Sequence, residues 1–422
     1  MTEARPRLFT PLFFVMCGFS FTVFVSAFML LPTAPFHILE LGGTTTQAGL
    51  FLGMLTFASA LSAPLSGALA DRVGRRRMLI TSSLVITVFS LAYAVAPSPR
   101  LILTLVAIHG LFWSGLLSAS AAYMTDLIPD TRRAEGIGYW GLSTIAAIAF
   151  APTLGFWVYA RGWGWLCAAS AGLNLVMAAI AARLHEEPRT VASSERFFTR
   201  RLLEWRVLAI SLTLFLYSYG YGGITSFAAL YADRNGVHPK GIYLTVLAGA
   251  ILVSRPLIVP MAQRVGHRRV FLPCLVLISA GMALLSVGGS MPWLVTSAVV
   301  FGLGFGTAYP VFAAYVMEHV DPRRRGAAFG GILAAFDTGI GTGSVMTGWL
   351  VGHYGFRVAF GAAAALAALA PAYFLVMEKR LLVRREPAGH RAGSATDVYG
   401  HERKAGSATD VHDHEREPEP KV

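Results

Sequence analysis

The stretch Gly67–Arg77, GALADRVGRRR, carries one carboxylate and four arginines between two long apolar runs. Asp71 is a poor residue for the interior of an apolar helix, and Gly74 allows the backbone to turn. Arginines that flank a membrane-spanning run favour the cytoplasmic side of a membrane. The stretch therefore predicts a short cytoplasmic turn between two membrane helices, with Gly67 permitting close approach to a neighbouring helix.

The composition of the whole chain indicates a membrane protein. Of the 422 residues, 55% are hydrophobic and 14% are charged, whereas a soluble domain carries about 25% charged residues. The formal net charge of +12 does not indicate nucleic-acid binding, because the arginines form short clusters between apolar runs. Cys17, Cys167 and Cys274 lie in separate apolar runs without metal-ligand spacing, so we expect them to be packing residues.

Twelve apolar runs are long enough to cross a bilayer, which takes roughly 20 residues each. The first run is too long for a cleavable signal peptide. Lysine and arginine concentrate in every second loop, which places those loops and both termini in the cytoplasm. The predicted fold class is therefore an all-α, multi-pass protein of the cell membrane. The runs cover residues 8–31, 44–70, 77–96, 101–125, 134–159, 163–183, 207–231, 241–262, 270–289, 292–317, 326–351 and 356–377.

An internal repeat divides the chain into two similar halves. ADRVGRRR at 70–77 returns as AQRVGHRR at 262–269, displaced by 192 residues, and the same displacement maps Gly110 onto Gly302 and Asp126 onto Glu318. Two halves with the same orientation in the membrane are typical of transporters that rock two bundles around a midplane site. The predicted units are six-helix bundles over 1–184 and 207–378, a cytoplasmic linker over 185–206, and a disordered cytoplasmic tail over 379–422 with a tandem AGSATDV repeat.

These features resemble the major facilitator superfamily (MFS), most of all its drug/proton antiporter and sugar-efflux branches. The resemblance implies two pseudo-symmetric six-helix bundles and alternating access. It also implies a gating motif in which Asp71 faces the start of helix 11 and Arg75 reaches Asp126. The residues that match the motif, together with this partner, are Gly67, Asp71, Arg72, Gly74, Arg75, Arg76 and Asp126.

Two further family marks are matched only in part. The glycine-rich bend of helix 5 retains Pro152 and Gly155, while the surrounding small residues are alanines. The helix 4 arginine of the antiporters is missing, since that position falls in the segment VAIHG at 106–110. Proton coupling therefore needs another residue.

Three ionisable residues inside apolar runs are candidates for proton coupling. Asp337 lies about 18 Å from the start of helix 11 and Arg255 about 13 Å from the nearest loop arginine, at 1.5 Å per residue. A charge near the bilayer centre costs roughly 2.5–3.5 kcal/mol, so we expect neither to face lipid. His109 is the third candidate. The structural alternatives are a static ion pair or packing contact for Asp337, a bond to backbone carbonyls for Arg255, and a packed neutral histidine for His109.

Helices 1, 4, 7 and 10 line the substrate cavity in the family that the chain resembles. Aromatic walls with few fixed charges suit flat, amphipathic or weakly cationic molecules. The sequence contains no HExxH, GxSxG or GxxxxGK motif, so we expect neither an enzyme nor a bound cofactor or metal. The aromatic candidates on these helices are Trp113, Tyr123, Tyr217, Tyr221 and Tyr309.

The predicted function is secondary active transport by a monomer, as proton-coupled export of a small amphipathic compound. Its partners are the small-molecule substrate, protons or another coupling ion, and membrane lipid. Two alternatives stay open at this point: a proton-coupled importer of a small metabolite, and a non-transporting membrane sensor or assembly protein with a transporter fold.

Overall fold

A computed structural model of the protein describes residues 8–185, 205–320 and 325–381, without the side chains at 64, 71, 130, 134, 259 and 325–327. Most of the predicted linker and the predicted tail lie outside these ranges. Within them, all regular secondary structure is helical, including a short 3-10 turn at Asp130–Arg132. Three of the described helices begin at a capping side chain, that of Thr10, Thr44 or Ser98. Thr44, for example, accepts a hydrogen bond from the Gln47 amide at 3.2 Å, and the Gln47 side chain accepts one from the Thr44 amide at 2.9 Å.

The first ten helices match the predicted runs closely, except that α1 continues to Glu40, beyond the predicted end at residue 31. The helix α1 contains a turn at residues 31–33. The bounds are Pro11–Glu40 for α1, Thr45–Val73 for α2, Arg75–Val95 for α3, Pro99–Leu127 for α4, Arg133–Tyr159 for α5, Trp163–Ala182 for α6, Trp205–Arg234 for α7, Ile242–Val265 for α8, His267–Val287 for α9 and Met291–Glu318 for α10.

The last helical segment, Arg325–Leu381, provides two crossings. Its apolar part, Ala328–Leu381, has 54 residues, or about 80 Å of helix, more than twice the roughly 30 Å hydrocarbon core. The segment breaks at Gly355, where φ is 84° and ψ is 173°. We therefore label residues 325–354 α11 and residues 356–381 α12.

Contacts with α7 show that α12 runs back alongside α11. Near the start of α7, the Tyr373 hydroxyl of α12 donates to the Ala209 carbonyl at 2.7 Å. In the middle of α7, Ser218 donates to the carbonyl of Phe336 on α11 at 2.9 Å. Near its end, Tyr231 stacks on Phe356 with ring centroids 5.1 Å apart. The twelve predicted crossings are thus confirmed, because the chain reverses at Gly355.

The turn after α2 has the same shape as its copy after α8. Gly74 adopts φ 100° and ψ 137°, and Gly266 adopts φ 96° and ψ 140°. These positive φ angles are strained for residues with a side chain. Each glycine links two helices directly, so both basic motifs form tight turns at the same end of the molecule. We call this end the basic end.

Matched helix contacts reproduce the internal repeat. A Cβ atom at Gly110 on α4 would lie 2.5 Å from the Leu55 carbonyl oxygen on α2. A Cβ atom at Gly302 on α10 would lie 2.7 Å from the Leu247 carbonyl oxygen on α8. Leu55 and Leu247 are themselves separated by the repeat displacement of 192 residues. The same glycine contact therefore packs one helix pair in each half.

The two halves meet along two seams at the end opposite the basic turns, which we call the closed end. In the first seam, α2 packs on α11, where a Cβ atom at Gly53 would lie 2.5 Å from Cγ2 of Val345. In the second seam, α5 packs on α8, and the hydroxyls of Thr153 and Thr245 lie 2.9 Å apart. The helix backbones come close at both seams because the residues that face each other there are glycines or have small side chains.

The same helices separate toward the basic end. A Cβ atom at Gly67 of α2, Gly138 of α5 or Gly330 of α11 would meet no described atom within 4 Å. The halves therefore touch at the closed end and leave an opening at the basic end. The predicted close approach at Gly67 stays a prediction, because a Cβ atom there meets no described atom within 4 Å.

Candidate functional site

Asp337 lies on α11 where the first seam ends. Gly341, one turn toward the closed end, still contacts α2, since a Cβ atom there would lie 2.5 Å from Oγ1 of Thr56. Gly330, about two turns toward the basic end, faces open space. The Asp337 side chain is partly exposed yet enclosed by protein on most sides. It makes no hydrogen bond or ion pair with any residue that the structure describes. Its carboxyl group thus faces the apex of the opening.

An aromatic wall adjoins Asp337 in the second half of the chain. Tyr221 stacks on Phe305 with ring centroids 4.3 Å apart, and Tyr309 contacts Phe336 at 5.0 Å. Tyr217 is fully buried behind these rings, whereas Tyr221 and Tyr309 are partly exposed. The latter two can touch a ligand, while Tyr217 supports them. The wall consists of Tyr217, Tyr221, Phe305, Tyr309 and Phe336.

Arg255 holds the matching place where the second seam ends. Its Nε donates to the Gly306 carbonyl on α10 at 3.2 Å. Its Nη1 lies 2.9 Å from the position that a Cβ atom at Gly141 on α5 would take. Gly138, one turn nearer the basic end, already faces open space. Arg255 therefore lies at the other flank of the same apex.

The two deep charges do not pair with each other. Among the described residues, neither Arg255 nor Asp337 forms an ion pair. The bond from Arg255 to a backbone carbonyl is the structural alternative that the sequence left open, and it is present. It occupies one of the five guanidinium N–H groups, so the rest remain available to other acceptors.

His109 lies inside the first half, away from both seams. It is 6% exposed, its Nδ1 is 2.9 Å from the Tyr93 hydroxyl, and the Phe89 ring stacks on it at 5.9 Å. Its Nε2 has no partner among the described residues and lines a cavity of about 20 Å³, enough for one water molecule. Ser26 and Asn174 line the same cavity. This placement favours a packed core histidine over a coupling residue.

Two aromatic candidates also belong to the first half. Trp113 is partly buried against Phe24, at 6.1 Å between ring centroids, and lines the same small cavity. The Tyr123 hydroxyl donates to the His185 carbonyl at 2.8 Å, which ties α4 to the end of α6. Its repeat partner Tyr315 makes the equivalent tie to Glu378 on α12. The structure thus gives Tyr123 a packing role, because the repeat uses this tyrosine to fasten helix ends.

The predicted contact between Arg75 and Asp126 is confirmed. Nη1 of Arg75 bonds the Asp126 carboxylate and donates to the Ala122 carbonyl at 2.6 Å. Arg76 donates to the Ala182 carbonyl at the end of α6, also at 2.6 Å. The contacts fix the basic turn to α4 and α6. The side chains of Asp71 and of residues 325–327 lie outside the described set, so the latch from Asp71 to the start of α11 stays a prediction.

The repeat places a different ion pair at the corresponding position of the second half. His267 replaces Arg75 and Glu318 replaces Asp126, and Nδ1 of His267 lies 2.8 Å from the Glu318 carboxylate. Unlike arginine, histidine is charged in this pair only when protonated. The two halves therefore carry the same contact with different chemistry.

Pro152 and Gly155 lie within a single helix, Arg133–Tyr159. Gly155 brings α5 against α1, since a Cβ atom there would lie 2.8 Å from the Met29 carbonyl oxygen. Pro152 forms part of the second seam, with its carbonyl carbon 3.2 Å from the position of a Cβ atom at Gly241. The two residues thus serve packing within the first half and between the halves.

Three residues of this site are absent from the sequence-based candidates: Phe305, Phe336 and Gly141. Phe305 and Tyr309 are four residues apart, which places them on one helix face, so the spacing offered a signal. Phe336 directly precedes Asp337. Gly141 offered no signal, because its importance comes from an arginine more than a hundred positions away in the other half.

The family model of the Major Facilitator Superfamily matches residues 16–253 and 210–408, which together span most of the chain. The protein belongs to the Major Facilitator Superfamily. This MFS protein is a transporter and not an enzyme. The relatives that it resembles are also MFS-type transporters. The superfamily match agrees with the twelve crossings, the repeat and the basic turn described above.

Among curated proteins, this MFS transporter is similar to the uncharacterized MFS-type transporter YhhS of Escherichia coli (strain K12). The two are 26% identical over 364 residues, covering 83% of this chain and 89% of YhhS. YhhS of Salmonella typhimurium is 26% identical over 390 residues, covering 90% and 94%. Both relatives are uncharacterized, so the match stops at the superfamily.

Solved structures share the fold of this MFS transporter. The nucleoside transporter NupG aligns with a TM-score of 0.70 at 17% identity, covering 88% of this chain and 100% of that protein. A bacterial homologue of the human lysosomal transporter Spinster, inward-facing and occupied, aligns with a TM-score of 0.72 at 15% identity, covering 88% and 97%. At these identities the likeness concerns the fold alone.

Proposed function

We propose that this MFS transporter exports a small amphipathic compound from the cytoplasm in exchange for protons, by alternating access. The observation that carries the proposal is the position of Asp337. Its carboxyl group lies at the apex of the opening, has no partner among the described residues and adjoins the aromatic wall. One carboxyl group cannot hold a proton and a cationic substrate group at once. Binding of one therefore excludes the other, which is the requirement for exchange.

The orientation of the chain supports loading from the cytoplasm. We place the basic end and both termini on the cytoplasmic side, because the loops there hold most of the arginines. The opening between the halves then faces the cytoplasm. Such a state is accessible to a compound that awaits export.

We further propose that the basic motif closes this opening. Asp71, at the end of α2, would bind the start of α11, where unpaired amide groups make a helix terminus positive. The Arg75–Asp126 pair would hold the turn in place for that contact. Closing the basic end while the seams at the closed end part would carry the site from one side to the other.

The test is transport in proteoliposomes under an imposed pH gradient, against a panel of amphipathic compounds. The parent, Asp337→Asn and a matched control, Asp233→Asn, are compared. Asp233 is suitable because it pairs with Lys240 at 2.9 Å at the closed end, away from the apex. Compound is measured by mass spectrometry and proton movement by a trapped pH-sensitive dye. We expect the parent and the control to exchange compound for protons, and Asp337→Asn to bind compound more weakly and to show no response to the gradient.

Other outcomes separate the alternatives. Unchanged gradient-driven exchange in Asp337→Asn would contradict the role of this carboxyl group. Movement of compound and protons in the same direction would indicate an importer. Binding without any flux in the parent would indicate a sensor or assembly protein.

A further inference from the structure

Two opposite charges converge on one turn of α10. Arg255 of α8 donates to the Gly306 carbonyl at 3.2 Å. Asp337 of α11 directly follows Phe336, whose ring contacts that of Tyr309 on α10 with centroids 5.0 Å apart. Gly306 and Tyr309 are three residues apart, a rise of about 4.5 Å along a helix. The apex of the opening therefore presents a guanidinium on one flank and a carboxyl group on the other.

Both groups have binding capacity that the described residues leave unused. Among the described residues, no acid pairs with Arg255 and no cation pairs with Asp337. A charge that is largely removed from water needs compensation by an opposite charge or by hydrogen bonds. Each group lies at the inner end of a seam, where the described contacts between the halves stop.

We propose that the substrate is a small zwitterion with an aromatic or apolar body. Its anionic group binds Arg255, its ammonium group binds Asp337, and its body rests on the aromatic wall. This inference rests on the proposed function, because the ammonium group and the exchanged proton compete for the same carboxyl group. It adds the substrate's charge pattern, which neither the family nor the relatives assign.

The surroundings of each charge support this arrangement. A guanidinium donates two parallel hydrogen bonds to a carboxylate. Because Gly141 has no side chain, Nη1 of Arg255 fits at the seam, 2.9 Å from the position that a Cβ atom at Gly141 would take. On the other flank, the rings of Tyr309 and Phe336 stand beside Asp337, and an ammonium group gains about 0.5–2 kcal/mol when it lies over an aromatic face. A compound with only one charge would leave the opposite flank uncompensated.

The test uses three probes on one scaffold: phenylalanine, phenethylamine and 3-phenylpropionate. They carry both charges, the positive charge alone and the negative charge alone. Their affinities are measured by equilibrium dialysis with the full-length protein in detergent. The parent is compared with Arg255→Gln, Asp337→Asn and two controls, Arg161→Gln and Asp233→Asn. Arg161 lies at the closed end, where its guanidinium stacks over Trp157 at 3.6 Å.

We expect phenylalanine to bind the parent and both controls at least tenfold more tightly than either singly charged probe. Arg255→Gln should abolish the advantage of phenylalanine over phenethylamine and keep its advantage over 3-phenylpropionate. Asp337→Asn should abolish the advantage of phenylalanine over 3-phenylpropionate and keep its advantage over phenethylamine. The preference that each variant keeps shows that its site is folded.

Equal binding of the three probes to the parent would overturn the proposal, as would tighter binding of a singly charged probe. Binding of none of them, or unchanged preferences in Arg255→Gln, would overturn it as well. The measurement needs no gradient. A zwitterion preference that persists while proton exchange fails in liposomes would therefore refute the exchange mechanism alone.

Discussion

The guanidinium of Arg255 lies against Gly141, a residue of the other half. Nη1 is 2.9 Å from the point where a side chain at Gly141 would begin, and Nε of the same arginine donates to the Gly306 carbonyl at 3.2 Å. Arg255 thus touches both halves at the inner end of the second seam. Any rocking of one half against the other would change this contact.

Gly141→Ala is expected to disturb ligand binding with little effect on stability. The new Cβ atom would crowd only the end of a flexible side chain, which can shift. Displacing one charged hydrogen bond should weaken binding of phenylalanine about threefold to tenfold. Gly138→Ala is the matched control, because a Cβ atom there meets no described atom within 4 Å. Equal effects of the two variants in equilibrium dialysis would contradict the placement of Arg255.

Gly110→Ala and Gly302→Ala are expected to destabilise the protein to a similar degree. Each added Cβ atom would press on a backbone carbonyl, at 2.5 Å in the first half and 2.7 Å in the second. Overpacking of this kind typically costs about 1–3 kcal/mol. Gly67→Ala serves as the control, since its Cβ atom would meet open space. Thermal unfolding followed by tryptophan fluorescence tests this. If one of the two variants is as stable as the control, the halves do not share this packing.

The Arg75–Asp126 pair is expected to contribute modestly to stability and strongly to transport. Both side chains are partly exposed, so the coupling free energy from a double-mutant cycle with Arg75→Gln and Asp126→Asn should be about 0.2–1 kcal/mol. The transport rate should fall by more than this small loss of stability would cause, because the pair fixes the basic turn. Glu318→Gln tests the matching pair of the second half, whose His267 is charged only when protonated. A larger transport loss in Glu318→Gln than in Asp126→Asn would show that the second-half pair carries the gating role.

Closure of the basic end is expected to bring Gly67 and Gly330 together. Both lie on the seam faces of α2 and α11, beyond the last contact in this structure. In a background without Cys17, Cys167 and Cys274, the pair Gly67→Cys and Gly330→Cys should form a cross-link only when substrate and a pH gradient drive turnover. The pair Gly53→Cys and Val345→Cys, in contact at the closed end, should cross-link without them.

Asp71→Asn in the same background tests the latch. If Asp71 holds the basic end closed, its neutralisation should lower the yield of the Gly67→Cys and Gly330→Cys cross-link and leave the closed-end cross-link unchanged. An unaltered yield would leave the basic motif with a topological role only.

Hydropathy and the basic loops predicted the helices because the rule that governs them is local. In a bilayer every backbone amide and carbonyl must bond within its own helix, so a run of apolar residues decides its own structure. The 192-residue repeat added the relation between the halves, and the tight turns at Gly74 and Gly266 have matching φ and ψ angles. The Arg75–Asp126 contact was also predictable, since the basic turn and the end of α4 lie at the same end of one bundle.

The sequence by itself thus determined the fold, the basic motif and which charges lie deep in the membrane. Only the tertiary structure decided what the candidate residues contact: it set Arg255 against Gly141, left Asp337 at the end of a seam, placed His109 beside Tyr93 and bonded Tyr123 to the His185 carbonyl. The physical reason is that a helix can rotate about its axis without changing its own hydrogen bonds. Which side chains face the opening is therefore fixed by packing between residues far apart in sequence, and by how the two halves are tilted.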